Sequence, residues 1–274
     1  MAAAARAAHL EVDQPPFLFE DTLARRMLGN QADELLSYHH KSGSHPVLMG
    51  TRLAVTTRAR YAEDRLAKAI ARGIEQYVIL GAGLDTFAYR SSVASGVMVY
   101  EVDEPDTSAW KREVLETAGV ALSAGVRLVP ADLVRVPLIE QLVAAGLDMN
   151  RPAFVSWLGV TMYLALPAIE RTLNAVGSMA GGTELVFDHV LPPEQRDEAG
   201  AEYASFAESV GAANGEPWLS SLTVDDVAKM LVNAGLEPIA QPLLIDWVDR
   251  SMWTRDDSIR PSRLWAMAHA RAKS

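Results

Sequence analysis

Five short apolar runs, each typical of a buried strand, constrain the fold of this chain more than any other feature. They read QYVILG, VMVYEV, VRLVP, AFVSWL and TELVFD, and begin at Gln76, Val97, Val126, Ala153 and Thr183. Helical or loop-like segments separate the first four, and LPAIERTLNAVGSM has helical spacing before the fifth. Apolar strands that alternate with helices indicate a parallel sheet covered on both faces. We therefore predict an α/β fold.

The segments that flank this alternation complete the predicted domain. FEDTLARRMLGNQADELLSYHH and TTRARYAEDRLAKAIARG carry apolar residues at helical spacing and place N-terminal helices within residues 17–72. The alanine-rich start, residues 1–16, is expected to be a flexible tail. Residues 189–222 are polar and rich in small residues, as in a lid, and a helix and two further strands follow them. One domain is expected over residues 1–274.

Composition narrows the function. The formal net charge of -10 disfavours nucleic acid as a partner, and no apolar run is long enough to cross a bilayer. The chain has no cysteine, which excludes a thiolate metal site and a cysteine nucleophile. The spacing of His39, His40 and His45 does not match a metal site, so no metal is expected. We expect a cytoplasmic protein that acts on a small molecule.

The first apolar run ends in glycines. In an open parallel sheet, ligands bind beyond the carboxyl ends of the strands, and Gly81 and Gly83 would let the backbone approach such a ligand closely. Asp103 follows Gly83 by 20 residues, a spacing at which an acid can accept hydrogen bonds from ribose hydroxyls. Asp85, next to the glycine turn, would repel a pyrophosphate, and the third glycine of a dinucleotide site is absent. The pattern therefore favours S-adenosylmethionine over NAD.

Ordered motifs carry a family resemblance. TTRARYAEDRL, YVILGAGLDTFAYR, VYEVDEPDTSAWKREVL, VPADL and FVSWLGVTMYL, within residues 58–164 for the most part, resemble the leucine carboxyl methyltransferase family. The similarity is greatest to the bacterial S-adenosylmethionine-dependent O-methyltransferases that include polyketide carboxyl methyltransferases. The resemblance implies a class I methyltransferase fold, a Rossmann-like sheet of seven strands that is parallel except for the last one.

The resemblance also implies a set of cofactor-binding residues. Arg58 matches the arginine that pairs with the methionine carboxylate, with Arg60 as its competitor. The glycines match the backbone cradle, Asp103 the ribose contact, and Asp132 and Leu133 the adenine contacts. The complete set is Arg58, Gly81, Gly83, Asp85, Glu101, Asp103, Asp132 and Leu133.

The acceptor side is less well specified. Many family members carry a glutamate between the Trp and Gly of the fourth-strand motif, and this chain has Leu158 there. His189, just after the fifth strand run, is the candidate base or substrate contact. The candidate substrate-pocket residues are Trp157, Met162, Tyr163, Phe206 and Trp218.

Taken together, these patterns predict an O-methyltransferase that methyl-esterifies a carboxylate of a small molecule, in secondary metabolism. Hydroxyl methylation, which requires a base, stays open as an alternative. The sequence is also compatible with a non-catalytic cofactor-binding protein and, less favourably, with an NAD(P)-dependent oxidoreductase.

Overall fold

A single mixed sheet of seven strands, in the order β3-β2-β1-β4-β5-β7-β6, organises the structure. The structure is a computed structural model and describes residues 2–213, 215–255 and 259–273. Residues 1 and 214, within the predicted tail and lid, lie outside this part of the chain. The strands are β1 (Gln76–Leu80), β2 (Met98–Asp103), β3 (Val126–Pro130), β4 (Phe154–Trp157), β5 (Glu184–Val190), β6 (Leu236–Ala240) and β7 (Trp265–Ala272).

The register of the sheet confirms the strands expected from the apolar runs. Strand β1 pairs in parallel with both β2 and β4, and β4 pairs in parallel with β5. Strand β7 is antiparallel to both β5 and β6. The carboxyl ends of β1, β2, β4 and β5 therefore meet at one edge of the sheet, where ligands bind in open α/β folds.

Ten α-helices pack around this sheet in the described residues. They are α1 (Ala2–Val12), α2 (Ala24–Met27), α3 (Ala32–Ser42), α4 (Pro46–Ala71), α5 (Phe87–Arg90), α6 (Pro105–Thr117), α7 (Leu138–Ala144), α8 (Leu166–Gly177), α9 (Glu198–Ala213) and α10 (Val224–Asn233). The helical stretch expected from residue 19 to residue 40 is divided into α2 and α3, and a short 3₁₀ turn lies between them.

Two hydrophobic clusters, one on each face of the sheet, form the core. Alternation along β1 places Ile79 in the cluster that includes α4, and Leu80 in the cluster that includes α7, α8 and α10. Strand burial is complete for all five residues of β1 and all seven of β5. This double-sided burial explains why the strand sequences are continuously apolar rather than alternating.

The expectation of a flexible N-terminal tail is wrong for residues 2–12. Ala4, Ala5 and Ala8 of α1 are buried, and so is His9. His9 Nε2 accepts a hydrogen bond from the Leu18 backbone N–H at 2.9 Å, and its Nδ1 lies 2.7 Å from Asp13 Oδ2. Alanine is small enough to let α1 pack closely against α3 and α4. A weakly hydrophobic sequence therefore forms a buried helix rather than a frayed end.

The segment 189–222 contains α9, which packs against α4. Whether it acts as a lid remains a prediction. Within the described residues, no helix is both long and apolar enough to pass through a bilayer.

Candidate functional site

A cavity of about 290 Å³ opens at the carboxyl ends of β1 and β4. Its walls come from the glycine loop after β1, from the loop after β4, from α4 and from the start of α1. Among the predicted site residues, Arg58, Gly81, Gly83 and Asp85 line it. The structure therefore brings together four cofactor candidates that lie in two separate segments of the sequence.

The glycine loop leaves room for a ligand. Gly81 has φ +68°, and a Cβ there would lie 2.4 Å from Val160 Cγ2. Gly83 has φ +43°, and no heavy atom lies within 4 Å of the place that its Cβ would occupy. Gly81 is thus required by the backbone conformation and by packing. At Gly83, a side chain would instead project into open space at the cavity.

Arg58 reaches the cavity from α4. Its Nη1 donates a hydrogen bond to Asp188 Oδ2 at 3.2 Å, and most of its side chain is buried. Arg60, the competing candidate, is half exposed and pairs with Asp64 one turn along the same helix. The structure therefore favours Arg58 over Arg60 as a ligand-binding cation.

A buried carboxylate connects the N-terminal helix to the glycine loop. Asp21 Oδ2 accepts hydrogen bonds from Arg6 Nε and from Thr86 Oγ1, both at 2.7 Å. Arg6 also donates to the carbonyl of Leu84 at 2.6 Å, and its side chain lines the cavity. Neither Arg6 nor Asp21 was predicted from the sequence, because Arg6 lies in the start that was expected to be a tail and Asp21 lies in a stretch predicted only to be helical. The overlooked signal is an arginine embedded in an alanine run, which needs a buried partner.

Asp85 contributes to the wall and to the local fold. Its Oδ1 accepts the backbone N–H of Phe87 at 2.8 Å, which forms an Asx turn just before the short helix α5. The side chain is half buried at the cavity, where its negative charge disfavours a pyrophosphate.

The two acids of β2 have different environments. The half-buried Asp103 accepts the Gly83 backbone N–H with its Oδ2 at 2.6 Å, so it holds the glycine loop directly. Glu101 is fully buried: its Oε2 lies 2.7 Å from Lys111 Nζ and accepts the Tyr89 hydroxyl at 3.0 Å. Burial raises the pKa of Glu101, against the opposing effect of Lys111. Neither acid lines the cavity, and the structure assigns Glu101 an ion pair inside the protein.

Asp132 and Leu133 follow β3 at the same edge of the sheet but also lie outside the cavity walls. Asp132 Oδ1 accepts the Val134 N–H at 2.7 Å, and its Oδ2 lies 3.2 Å from Arg135 Nε. Their role at an adenine ring remains a prediction.

The predicted substrate-pocket residues do not form one group. Trp157 belongs to the core on the face of the sheet away from α4, and Met162 is buried in the other cluster, so neither lines the cavity. Tyr163 and Phe206 are partly exposed, and Trp218 packs edge-on against Trp265 with ring centroids 5.7 Å apart. The prediction for Trp157 is wrong because the following residue, Leu158, is the one that turns towards the cavity.

His189 is also wrongly predicted as a base. It is fully buried among residues of the cluster away from α4, where its ring lies 6.3 Å from that of Phe187. Its Nδ1 lies 3.1 Å from the carbonyl oxygen of Leu222. Burial lowers its pKa to about 4, so the ring is neutral. The alternation of β5 points it away from the cavity.

The preceding residue, Asp188, is a functional candidate that was not predicted from the sequence. It is fully buried, and it contacts Arg58 and the loop after β4. The sequence did contain evidence for this residue. An acid near the carboxyl end of β5 lies next to the end of β4 in a parallel sheet, where ligands bind.

The cavity walls supply groups for binding and orientation. Arg6 and Arg58 supply positive charge, and the glycine loop supplies exposed backbone. No histidine is present among the described residues that line the cavity. Across all the residues that the structure describes, no group of three or more His, Asp or Glu side chains could hold a metal ion.

Sequence comparisons match the leucine carboxyl methyltransferase family over residues 1–177. YktD of Bacillus subtilis, provisionally named an S-adenosyl-L-methionine-dependent methyltransferase, is 30% identical over 181 residues, which cover 65% of this chain and 59% of YktD. A protein of Mycolicibacterium vanbaalenii with the same provisional name is 39% identical over 142 residues, covering 50% of this chain and 45% of that protein. The chain thus spans between 45% and 59% of the length of these curated relatives.

Solved structures resemble nearly the whole chain in fold. A protein of the DUF574 family from Streptomyces avermitilis has a TM-score of 0.64 at 17% identity, covering 98% of this chain and 97% of its own. A provisionally named methyltransferase from Thermobifida fusca has a TM-score of 0.62 at 20% identity, covering 96% and 100%. At such identities the similarity concerns the fold alone. Together with the strand order, it confirms the predicted class I methyltransferase architecture.

Proposed function

Because the chain belongs to the leucine carboxyl methyltransferase family, we propose that it is an S-adenosylmethionine-dependent methyltransferase whose cavity binds that cofactor. The observation that carries this proposal is the open space at Gly83, which lies in the same cavity as the Arg58 side chain. A guanidinium matches a carboxylate in charge and in geometry, so Arg58 would hold the methionine end of the cofactor. The bare backbone at Gly83 would leave room for the cofactor atoms next to the methionine carboxylate.

The remaining cofactor contacts extend this assignment. Asp103 already fixes the Gly83 amide, so it lies beside the place where the ribose would lie. Asp132 and Leu133 would contact the adenine ring from the end of β3. The negative charge of Asp85 suits a ligand with an amine or a sulfonium and opposes a pyrophosphate, which disfavours NAD(P).

The chain itself has mainly to position the reactants. S-adenosylmethionine supplies an electrophilic methyl carbon on its sulfonium, and methyl transfer needs donor and acceptor aligned with water excluded. Leu158 and Val160 supply an apolar wall for that purpose. The family glutamate is absent at position 158, so no charge acts from that place.

We propose a small-molecule carboxylate as the acceptor. A carboxylate is already ionised at neutral pH, so its methylation requires no base. The cavity walls fit this requirement, because the two lining carboxylates, Asp21 and Asp85, accept hydrogen bonds within the protein and no histidine is found among the described lining residues. Hydroxyl methylation would need a base within hydrogen-bond reach. Residues 189–222, with Tyr163, Phe206 and Trp218, would cover the acceptor.

Binding measurements test the cofactor first. Isothermal titration calorimetry with S-adenosylmethionine should show saturable binding to the parent protein, whereas NADH should not bind. Tight NADH binding without S-adenosylmethionine binding would refute the proposal.

Product analysis tests the acceptor. The protein is incubated with S-adenosylmethionine labelled in its methyl group and with a panel of small carboxylic acids and phenols. A product that releases its label in mild alkali is an ester and supports carboxyl methylation. A label that survives alkali identifies an ether and supports hydroxyl methylation. Cofactor binding without transfer to any acceptor would favour a non-catalytic protein.

A further inference from the structure

Asp188 connects two elements that meet at the cavity. It lies near the end of β5 and is completely buried. Its Oδ1 accepts the Gly159 backbone N–H at 2.6 Å, and its Oδ2 accepts Arg58 Nη1 at 3.2 Å. Its backbone carbonyl accepts the Thr161 hydroxyl at 2.7 Å. One residue thus binds both the guanidinium from α4 and the loop after β4.

Arg58 and Gly159 are also in direct contact with each other. Gly159 has φ +70°, and a Cβ there would lie 2.2 Å from Arg58 Nη2. The guanidinium therefore lies against bare backbone on one side and is hydrogen-bonded to Asp188 at Nη1. Within the described residues, Asp188 is the hydrogen-bond partner of Arg58, so the remaining N–H groups of the guanidinium are available for a ligand.

From this arrangement we infer that Asp188 is a positioning residue, which holds Arg58 in the orientation that receives the carboxylate of the cofactor. The inference rests on the proposed function, since it assumes that S-adenosylmethionine is the ligand of Arg58. A charged acceptor holds a guanidinium more strongly than a neutral acceptor does. Without this charge, the long arginine side chain would regain its rotamer freedom. Ligand binding would then have to offset the entropy lost when the side chain is ordered.

Asp188→Asn tests the charge while preserving the shape. The amide oxygen of the variant can still accept the Gly159 N–H, but its NH₂ group would face the Arg58 N–H groups, donor against donor. We expect calorimetry to show S-adenosylmethionine affinity reduced by about tenfold or more, as for loss of a charged hydrogen-bond network.

The decisive comparison uses decarboxylated S-adenosylmethionine, which keeps the sulfonium, the amine and the adenosine but lacks the carboxylate. If Asp188 acts through Arg58, Asp188→Asn should leave the affinity for this analogue within about twofold of the parent value. A merely structural role would weaken both ligands equally. An equal loss for the two ligands would therefore overturn the inference.

A double-mutant cycle gives an independent measurement. In an Arg58→Met background, adding Asp188→Asn should change S-adenosylmethionine affinity by less than about twofold, because the residue through which Asp188 acts is gone. If the double variant instead loses affinity by the product of the two single-variant factors, the two residues act independently and the inference is contradicted.

Glu184→Gln provides the matched control. Glu184 is another buried acid of β5, and it binds His269 and Arg72 at the opposite end of the strand. Its replacement should lower the thermal midpoint of unfolding without changing the affinity for either ligand.

Two further outcomes are distinguishable. If the parent protein binds neither ligand, the proposed function fails and this inference fails with it. If the parent binds S-adenosylmethionine but Asp188→Asn does not fold, Asp188→Ser decides, since it also removes the charge beside Arg58 and leaves Gly159 unchanged. That variant should lose affinity for S-adenosylmethionine and keep it for the analogue, and equal losses would overturn the inference.

Discussion

Arg52→Met removes the cation from a buried charge network that joins α1 to α4. The Arg52 side chain is fully buried. Its Nε and Nη2 each donate to one oxygen of Asp13 at 2.8 Å, and Nη2 also donates to the carbonyl of Gly43 at 2.8 Å. Its Nη1 lies 3.2 Å from His39 Nδ1. All of these contacts are lost in the variant, although methionine retains much of the volume.

The expected loss in the free energy of unfolding is about 3–5 kcal/mol, because removing one partner leaves the other charge buried without compensation. Of the contacts described above, Asp13 keeps the 2.7 Å contact with His9 Nδ1. In the parent, burial would raise the pKa of Asp13, but hydrogen bonds from His9 and Arg52 outweigh burial and lower this pKa. The stability that this lowered pKa contributes is present above the unfolded value of 3.8 and is lost as the pH falls through the folded value. The destabilisation by Arg52→Met should therefore be largest near neutral pH and smaller in acid.

Urea unfolding at pH 7, followed by far-UV circular dichroism, measures the effect. Arg60→Met is the matched control, since Arg60 lies on the same helix but forms an exposed pair with Asp64. The control should lose less than about 1 kcal/mol. Hydrogen exchange should also show which region is destabilised: the amides of α1 should exchange faster than those of β1 and β5. An Arg52→Met variant within about 1 kcal/mol of the parent would refute the assignment of this network as the attachment of α1.

Gly83→Val, which fills the open space of the cavity, and Asp103→Ala, which releases the Gly83 amide, should each weaken S-adenosylmethionine binding by about tenfold to a hundredfold in calorimetry. Parent-like affinity in either variant would remove that residue from the site. The folded protein lowers the pKa of His39 and of His189 from 6.5 to about 4, chiefly through burial. The unfolded chain therefore takes up more protons between these values, and stability should fall as the pH drops from about 6.5 towards 4, by up to about 3 kcal/mol for each histidine. His189→Gln should reduce this dependence in urea titrations at several pH values, and an unchanged slope would contradict it. Limited proteolysis should cut within residues 189–222 in the free protein and slow when cofactor and acceptor are added together. Equal cleavage rates in the two conditions would remove the support for a lid.

The sequence by itself determined the features that depend on neighbouring residues. Strand runs are buried on both faces and are therefore continuously apolar, so all five predicted runs became strands in the expected order. Gly81 and Gly83 were identified because bare backbone at the end of a buried strand allows a tight turn and a close approach of a ligand, and both have positive φ angles in the structure. The family motifs then restricted the candidate cation to two arginines on one helix.

The tertiary structure decided which face each side chain occupies and which distant residues meet. The alternation of side chains along β5 directs Asp188 towards Arg58 on α4, 130 residues earlier in the chain. It directs the adjacent His189 into the core on the opposite face. The same long-range packing makes a helix of the alanine-rich start and brings Arg6 to the cavity. No local pattern encodes such contacts. A buried charge is tolerated only where the complete fold supplies its partner, and that partner is defined by the packing of helices and strands rather than by neighbours along the chain.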